Sequence, residues 1–394
     1  MKALEGVRVL DLTHAYNGPF ATMWLADNGA EVIKIEPPSG DECRSWGPID
    51  EKSGESGFFA YLNRNKKGIT LNLKDETALK LFYEMVKDAD VVVENYKFGT
   101  AQKLKVDYET LRSINPGIIY ASGSGFGQTG PNTARTCYDG VAQAMSGYIH
   151  LNGHKDRPPC KVGAAVGDNC TGTFLALGIV MALFARERTG VGQQVDVAMV
   201  DTLFSLLENA IPLEVMTDQS PSRNGSIDLS IAPFDVYECS DGYVAFGCGN
   251  DSLFRKLCGV IGKPELAEDE LYVSNVSRGK NYEGEDRLQG IIGRWCRDKS
   301  KFEIDRLMSE AGVPCGPVLS IEEAIESPQI QERGMMIHVD HPTMGDQYQQ
   351  GFPIKLSETP ASVKMPSPLL GQHTQEILGL SDEEMKDYKK KGII

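Results

Sequence analysis

The N-terminal part of the chain alternates short apolar runs with helix-length intervals, and that alternation constrains the fold more than any other feature. Val7-Arg-Val-Leu-Asp-Leu12, Glu31-Val-Ile-Lys-Ile-Glu36, Ile69–Leu73, Asp90-Val-Val-Val-Glu-Asn95 and Ile118–Ala121 read as strands. Between them lie a helix from Pro19 to Asn28, a helix over Asp75–Asp88 with apolar spacing at Leu79, Leu81, Met85 and Val86, and a short helix near Tyr108–Ile114. Proline suits a first helical position, and Asn17 or Gly18 can cap the helix it opens. Strands and helices in this alternation form βαβ units, so the expected fold is α/β with a mainly parallel, Rossmann-like sheet.

At 394 residues the chain exceeds what one hydrophobic core holds, which predicts two domains. Gly190–Met199 reads as a turn and strand and Val200–Met216 as a further helix, before the polar, Ser-Pro-Ser-containing stretch Asp218–Asn224. Beyond it, Phe234–Glu238 and Gly242–Phe246 flank Cys239-Ser-Asp-Gly as an antiparallel hairpin, with helices near Ser252–Ile261, Asp286–Arg297 and Lys301–Ala311. The expected division is a large domain over 1–222, a smaller α+β domain over 223–320, and a C-terminal segment, 321–394, that returns to the large domain. That segment carries short helices at Ile321–Glu326 and Gln329–Arg333, β-like stretches and a charged terminal helix, Asp382–Lys391, without a core pattern of its own.

One carboxylate stands out. Lys161-Val-Gly-Ala-Ala-Val-Gly-Asp-Asn-Cys-Thr-Gly-Thr173 places Asp168 at a small-residue turn before the apolar run Phe174–Ala185, which reads as a buried helix. Asp168 is then either an N-cap or a nucleophile held ionised at the positive end of a helix dipole, with small neighbours leaving room for substrate.

Several chemistries are excluded. The net charge of −15 argues against nucleic acid and anionic membranes as partners, and an anionic ligand would need a local basic pocket. Nine Cys without a C-x-x-C pair point away from structural zinc and disulfides and toward a reducing cytoplasm. The N-terminus lacks a signal peptide pattern, and Phe174–Ala185 is too short to span a bilayer. No metal site is expected, since His338-Val-Asp-His341 stands without ligands at metal spacing. Gly125-Phe-Gly-Gln-Thr-Gly130 matches a dinucleotide fingerprint, but it follows a late strand and runs into Pro131-Asn132 with no helix opening on it. No nucleophile elbow or P-loop is present.

The remaining chemistry lies in loops at strand ends, where parallel sheets bind ligands: Thr13–Gly18, Asn63–Gly68, Glu94–Lys97, Ser122–Gly130 and Arg135–Tyr138. Arg64, Lys66, Lys67, Lys97, Lys103 and Arg135 are the cations available there to offset phosphates.

Gly6–His14, Asn17-Gly-Pro-Phe20, Gly29–Glu36, Asn63-Arg-Asn-Lys66, Val93-Glu-Asn95, Gly125–Pro131, Tyr138-Asp139 and Gly167-Asp168 followed by Gly190-x-Gly-Gln193 together resemble the class III CoA-transferase family, of the formyl-CoA:oxalate and carnitine type, over residues 6 to 375. Ile231–Val236 and Cys248–Asp251 resemble the oxalate-using members. The resemblance implies an acyl-CoA:carboxylate CoA-transferase in which Asp168 is the nucleophile, working through mixed anhydrides and an aspartyl-CoA thioester. It implies that His14, Ala15, Tyr16 and Asn17 line the CoA and acyl site, with Leu71, Asn95, Tyr96, Lys103, Leu104 and Tyr138 along the nucleotide, and that Gly247-Cys-Gly-Asn250 is a glycine loop covering the intermediates. CoA thioester is then a co-substrate, a small carboxylic acid the acceptor, and no permanently bound cofactor is needed. Acetyl-CoA or formyl-CoA with oxalate is the expected pairing; a 2-hydroxy or longer acid is the alternative. An α-methylacyl-CoA racemase is the rival within the resemblance, but its catalytic His would fall at Tyr138, a poor base at neutral pH. The family fold implied is an interlocked homodimer. The chain departs from several relatives in carrying Pro37-Pro38 where they place an Arg for the CoA phosphates, and in a less glycine-rich covering loop.

Overall fold

The computed structural model describes every residue of the chain except Leu229. From the N-terminus, β1 (Arg8–Asp11), α1 (Asn17–Asp27), β2 (Glu31–Glu36), α2 (Gly57–Leu62), β3 (Lys66–Thr70) and α3 (Glu76–Lys87) lead to β4 (Val91–Glu94). Then come α4 (Thr100–Leu104), α5 (Tyr108–Ile114), β5 (Ile119–Ser124), α6 (Asp139–Met145), α7 (Tyr148–Leu151), α8 (Val166–Thr189) and β6 (Gln194–Ala198). These strands form one parallel sheet in the order β3-β2-β1-β4-β5-β6, the doubly wound arrangement. Successive residues serve opposite faces: Leu10, Ile33 and Val92 pack with Phe82 of α3, while Val9, Val32 and Val91 pack with Leu25 of α1 and Leu175 and Ile179 of α8. The strand order reverses between β1 and β4, so the loops after those two strands part and leave a crevice.

Three expectations are corrected. Strand β3 begins at Lys66 instead of Ile69, because Lys66 is fully buried and its ammonium donates to Asp11 Oδ2 (3.0 Å), the Pro19 carbonyl (3.0 Å) and Asn63 Oδ1 (2.9 Å). The helix expected over Val200–Met216 is two, α9 (Met199–Ser205) and α10 (Ala210–Met216), separated by a turn with Glu208 at φ 47°. Helix α8 is longer than its apolar run, because the small residues before Phe174 join it; at 24 residues it is long and apolar enough to cross a membrane. One side of it packs on α1, β5 and β6. The other side is open rather than buried, with Met181 and Phe184 59% and 58% exposed beside Phe174, Leu177 and Val180.

The chain forms two compact units, one of residues 1–148, 161–211 and 329–394 and one of residues 149–160 and 212–328. The second therefore takes in 149–160, which a continuous 1–222 domain would include. It contains the hairpin β7 (Phe234–Cys239) and β8 (Gly242–Gly247), then α11 (Asp251–Val260), α12 (Asn275–Lys280), α13 (Leu288–Arg297), α14 (Lys301–Glu310), β9 (Cys315–Pro317) and α15 (Ile321–Glu326). Strands β7, β8 and β9 make an antiparallel sheet over a core that includes Phe246, Phe254, Leu257, Ile292 and Ile304.

The C-terminal part of the first unit adds α16 (Pro328–Glu332), the hairpin β10 (Met336–His341) and β11 (Gly345–Gln350), α17 (Thr374–Leu378) and α18 (Asp382–Lys391). It covers the edge strand: the Gly68 amide donates to His373 Nδ1 (3.0 Å), the Thr70 amide to Thr374 Oγ1 (3.1 Å), and the Asn72 amide to the Ile393 carbonyl (2.8 Å). His338 and His341 share strand β10 without sharing a partner, His338 meeting Asp346 and His341 meeting Ser367.

Candidate active site

Strand β1 ends in a loop whose shape is held by buried charge. Ala15 has φ 62°, a left-handed conformation that a residue with a Cβ adopts under constraint. Its amide donates to Asp41 Oδ1 (3.3 Å), while Lys34 Nζ donates to Asp41 Oδ2 (2.8 Å) and to the Thr13 carbonyl (2.9 Å). From the other side, Asn95 at the end of β4 brackets His14: its Oδ1 accepts from the His14 amide (2.9 Å) and its Nδ2 donates to the His14 carbonyl (2.7 Å).

Over this loop opens a cleft of about 320 Å³ that brings together His14, Ala15, Tyr16, Asn17, Asn95, Tyr96, Arg135, Tyr138 and Asp168. A neighbouring cavity of about 410 Å³ shares His14 and Tyr96 and is walled by Leu71 and Leu104. Lys103 is exposed on α4 and lines neither cavity.

Asp168 is not the cap of its helix. The capping position is Ala165, which has no side chain to offer, and Asp168 sits in the first turn. The cap is supplied from a distance: Asp139, at the start of α6, accepts the Gly167 amide on Oδ1 (2.7 Å). A Cβ at Gly167 would lie 2.9 Å from that same oxygen, so a larger residue there would displace the Asp139 carboxylate. Asp139 is held in turn by Gln143, whose Nε2 donates to its Oδ2 (2.7 Å).

Asp168 is thereby free to face the cleft, where its Oδ1 accepts from Asn17 Nδ2 (3.1 Å). Burial pushes its carboxyl up to about 7 and the Asp139 charge adds to the rise, against the hydrogen bonds from Asn17. The expectation of a carboxylate kept firmly ionised by the helix dipole is corrected accordingly. Near neutrality Asp168 exchanges its proton readily and is a stronger base than an ordinary carboxylate.

The opposite wall is aromatic. Tyr16 donates from its hydroxyl to Asn169 Oδ1 (2.7 Å), and Asn169 is oriented by its own bond to the Ala165 carbonyl (3.0 Å). Tyr16 stacks on Phe20 and leans on Phe58, which meets Trp46. Tyr138 is 67% exposed at the mouth.

The cations divide into structural and free. Arg64 and Lys66, expected near phosphates, are buried and paired with Asp27 and Asp11, and Lys67 pairs with Glu31 and Glu376. Lys97 and Arg135 do line the cleft. The sequence reading missed Lys74, which lines the second cavity together with Pro37; its signal is its place directly after Leu71-Asn72-Leu73. It also missed Asp139 as the distant cap.

The glycine loop belongs to the smaller unit. Gly247 ends β8 against the Phe234 ring, Cys248 is fully buried, and Asn250 caps α11 by accepting the Leu253 amide (3.0 Å). The Cys248 side chain belongs to the core of that unit, and a Cβ at Gly249 would meet open space.

The crevice at the switch point of this doubly wound sheet thus holds a carboxyl raised to about 7 by burial and by its like-charged neighbour. Residues 4–374 match the family model for CoA-transferase family III, and the chain belongs to that family and is a CoA-transferase. It is 43% identical to acetyl-CoA:oxalate CoA-transferase of Acetobacter aceti over 90% of this chain and 89% of that one. It is 40% identical to succinyl-CoA:mesaconate CoA-transferase of Haloarcula marismortui over 96% of each. Among solved structures, a CAIB/BAIF family protein from Brucella suis superposes with a TM-score of 0.84 at 35% identity, covering 96% of this chain and 99% of that one.

Proposed function

We propose that the protein moves CoA from an acyl-CoA donor to a small carboxylic acid through covalent intermediates on Asp168. The observation that carries the reading is the placement of Asp168 in the cleft, bonded to Asn17 and titrating near 7. The carboxylate attacks the thioester carbonyl, expelling CoA thiolate and leaving a mixed anhydride. The thiolate attacks the aspartyl carbonyl of that anhydride, releasing the donor acid and forming an aspartyl-CoA thioester. The acceptor carboxylate attacks this thioester, again expelling thiolate, and the thiolate takes the acceptor's acyl group from the second anhydride, restoring Asp168. Each exchange is an acyl transfer between activated carbonyls, thioester and anhydride, so one difficult exchange is split into easier steps, the advantage of covalent catalysis.

Lys74, Lys97 and Arg135 line the two cavities, Arg135 over the Phe126 ring, and we assign them to the CoA phosphates, with Lys74 serving where Pro37 has no charge to offer. Leu71 and Leu104 wall the nucleotide end. Likeness to the Acetobacter aceti enzyme favours acetyl-CoA and oxalate; the mesaconate enzyme makes longer acids the competing acceptors. The open apolar side of α8, with Phe174, Leu177, Met181 and Phe184, is covered by a second copy of the chain in this reading. A dimer surviving dilution to nanomolar concentration supports that, and a monomer by light scattering refutes it. Free thiols throughout suit a cytoplasmic setting.

The test is mass-resolved product analysis with acetyl-CoA and oxalate, beside Asp168→Ala. Oxalyl-CoA from the wild type alone supports both nucleophile and acceptor. An adduct on the Asp168 peptide without oxalyl-CoA keeps the transferase and changes the acid. Transfer by Asp168→Ala at the wild-type rate, or an exchanged α-proton in place of transfer, defeats the reading.

A further inference from the structure

We infer that Asn95 is a positioning residue that acts on Asp168 through Asn17, and is not a ligand of CoA. This rests on the reading of Asp168 as nucleophile. An asparagine amide has two chemically different ends, and only its partners decide which way it faces. At Asn95 the decision is made by backbone: the His14 amide can only donate, so it meets Oδ1 (2.9 Å), and the His14 carbonyl can only accept, so it meets Nδ2 (2.7 Å). The second hydrogen of Nδ2 then points to Asn17, whose Oδ1 receives it (3.2 Å). With its oxygen so used, Asn17 must turn Nδ2 toward Asp168, and it donates to Oδ1 (3.1 Å).

Orientation therefore passes from the His14 peptide through two amides to the reacting carboxyl. Oδ1 of Asp168 is held as an acceptor, so the proton that the group carries below about pH 7 belongs on Oδ2, and its loss bares the oxygen that attacks. Two glycines keep the surroundings of Asn17 clear. Gly123, at the end of β5, would place a Cβ 3.3 Å from Asn17 Oδ1 and 3.0 Å from Leu175. Gly172 of α8 would place one 2.6 Å from the Asn17 carbonyl. Asn17 is buried, and both amide hydrogens of Asn95 and one lone pair of its Oδ1 are already used within the relay, so the side chain has no donor left for a nucleotide.

The experiment measures the rate of aspartyl-CoA formation against pH, with KM for acyl-CoA, in wild type, Asn95→Ala, Asn17→Ala and the double variant. Each single variant should lose roughly tenfold in kcat or more, the worth of one hydrogen bond to a charged group. KM should change by less than about threefold. Both should move the rate midpoint to higher pH, since the Asn17 bond lowers the Asp168 titration. The double variant should be no worse than Asn17→Ala alone. A raised KM with unchanged kcat in Asn95→Ala would show a CoA ligand and overturn the inference, as would additive losses in the double variant. If Asn95→Ala fails to fold, Asn17→Ala decides alone: it leaves the His14–Asn95 bonds intact, and an unmoved midpoint refutes the relay. Absence of any adduct in the wild type would instead remove the nucleophile reading itself.

Discussion

Asp41 and Asp168 both stand at the carboxyl end of the sheet, both largely withdrawn from water, yet one titrates at about 2 and the other at about 7. Burial pushes both up. At Asp41 the push is reversed by the Lys34 ammonium 2.8 Å away and by hydrogen bonds from Cys43. At Asp168 no ion pair forms among the described residues: its partner is the neutral amide of Asn17, and its charged neighbour, Asp139, is of the same sign. Asp11 with Lys66 and Asp27 with Arg64 are matched with a cation in the same way, whereas Asp139, Glu94 and Asp235 are held by neutral donors. The proposed nucleophile is matched with the Asn17 amide, which orients it without quenching its basicity. A cation at Asp168 would hold a more stable carboxylate and a weaker nucleophile.

The sharpest way to test this contrast is to remove the basicity and keep the shape. Asp168→Asn should cost at least about a thousandfold in transfer, read as product formation by mass spectrometry. The same change should raise the melting temperature above pH 7 by roughly a few degrees, because the variant no longer has to bury a charge. The two readouts moving in opposite directions would mark a group selected for reaction at the expense of stability.

The structural member of the pair should behave in reverse. Lys34→Met leaves Asp41 buried without its counter-charge and should destabilise the fold by about 3–5 kcal/mol, measured by urea unfolding at pH 7. Loss of transfer should follow only as the loop carrying Ala15 loosens, and a fully stable Lys34→Met would break the comparison.

The pH dependence of stability separates the two groups by the sign of their slopes. Asp41 is depressed on folding, so its contribution is present above the usual carboxylate range and is lost as pH falls from about 4 through about 2. Asp168 is raised on folding, so the folded chain holds more protons than the unfolded one between about 4 and 7, and stability falls as pH rises through that window. Differential scanning of wild type against Asp168→Asn should show the second slope shrink in the variant, the remainder coming from Asp27, Glu94 and Asp196, which are also raised. An unchanged slope would place the poised group elsewhere.

How much of this was readable beforehand follows from the range of the interactions. The parallel sheet was legible because its strands are apolar on both faces, so Val9 and Leu10 or Val91 and Val92 need no alternation to be recognised. Strand β3 was misplaced because Lys66 looks like loop until Asp11, from another strand, is brought beside it. Asp168 was legible as a candidate from its small neighbours and the helix behind it, but cap and nucleophile could not be separated locally: the cap is Asp139, from another helix. The relay through Asn95 and Asn17 was invisible for the same reason, since it joins three separate strand and helix ends. The open side of α8 could not be foreseen either, because an all-round apolar helix reads as buried whether its cover lies in the same chain or in another.

The smallest expected effect probes that distant cap. Asp139→Asn keeps an oxygen for the Gly167 amide but removes the like charge that helps to raise Asp168, so the rate midpoint should move to lower pH and the variant should gain at pH 6 relative to pH 8. The substitution also sets an NH₂ against Gln143 Nε2, and Gln143 cannot simply turn over, because its Oε1 accepts the Val162 amide (3.0 Å). A stability loss of about 1–3 kcal/mol should accompany it. The two consequences are separable because Gln143→Ala removes the hydrogen bond and leaves the charge. It should lower the melting temperature without moving the midpoint. A midpoint that moves in Gln143→Ala as far as in Asp139→Asn would mean that packing of the α8 start, rather than charge, sets the basicity of Asp168, and the contrast with Asp41 would then be one of geometry alone.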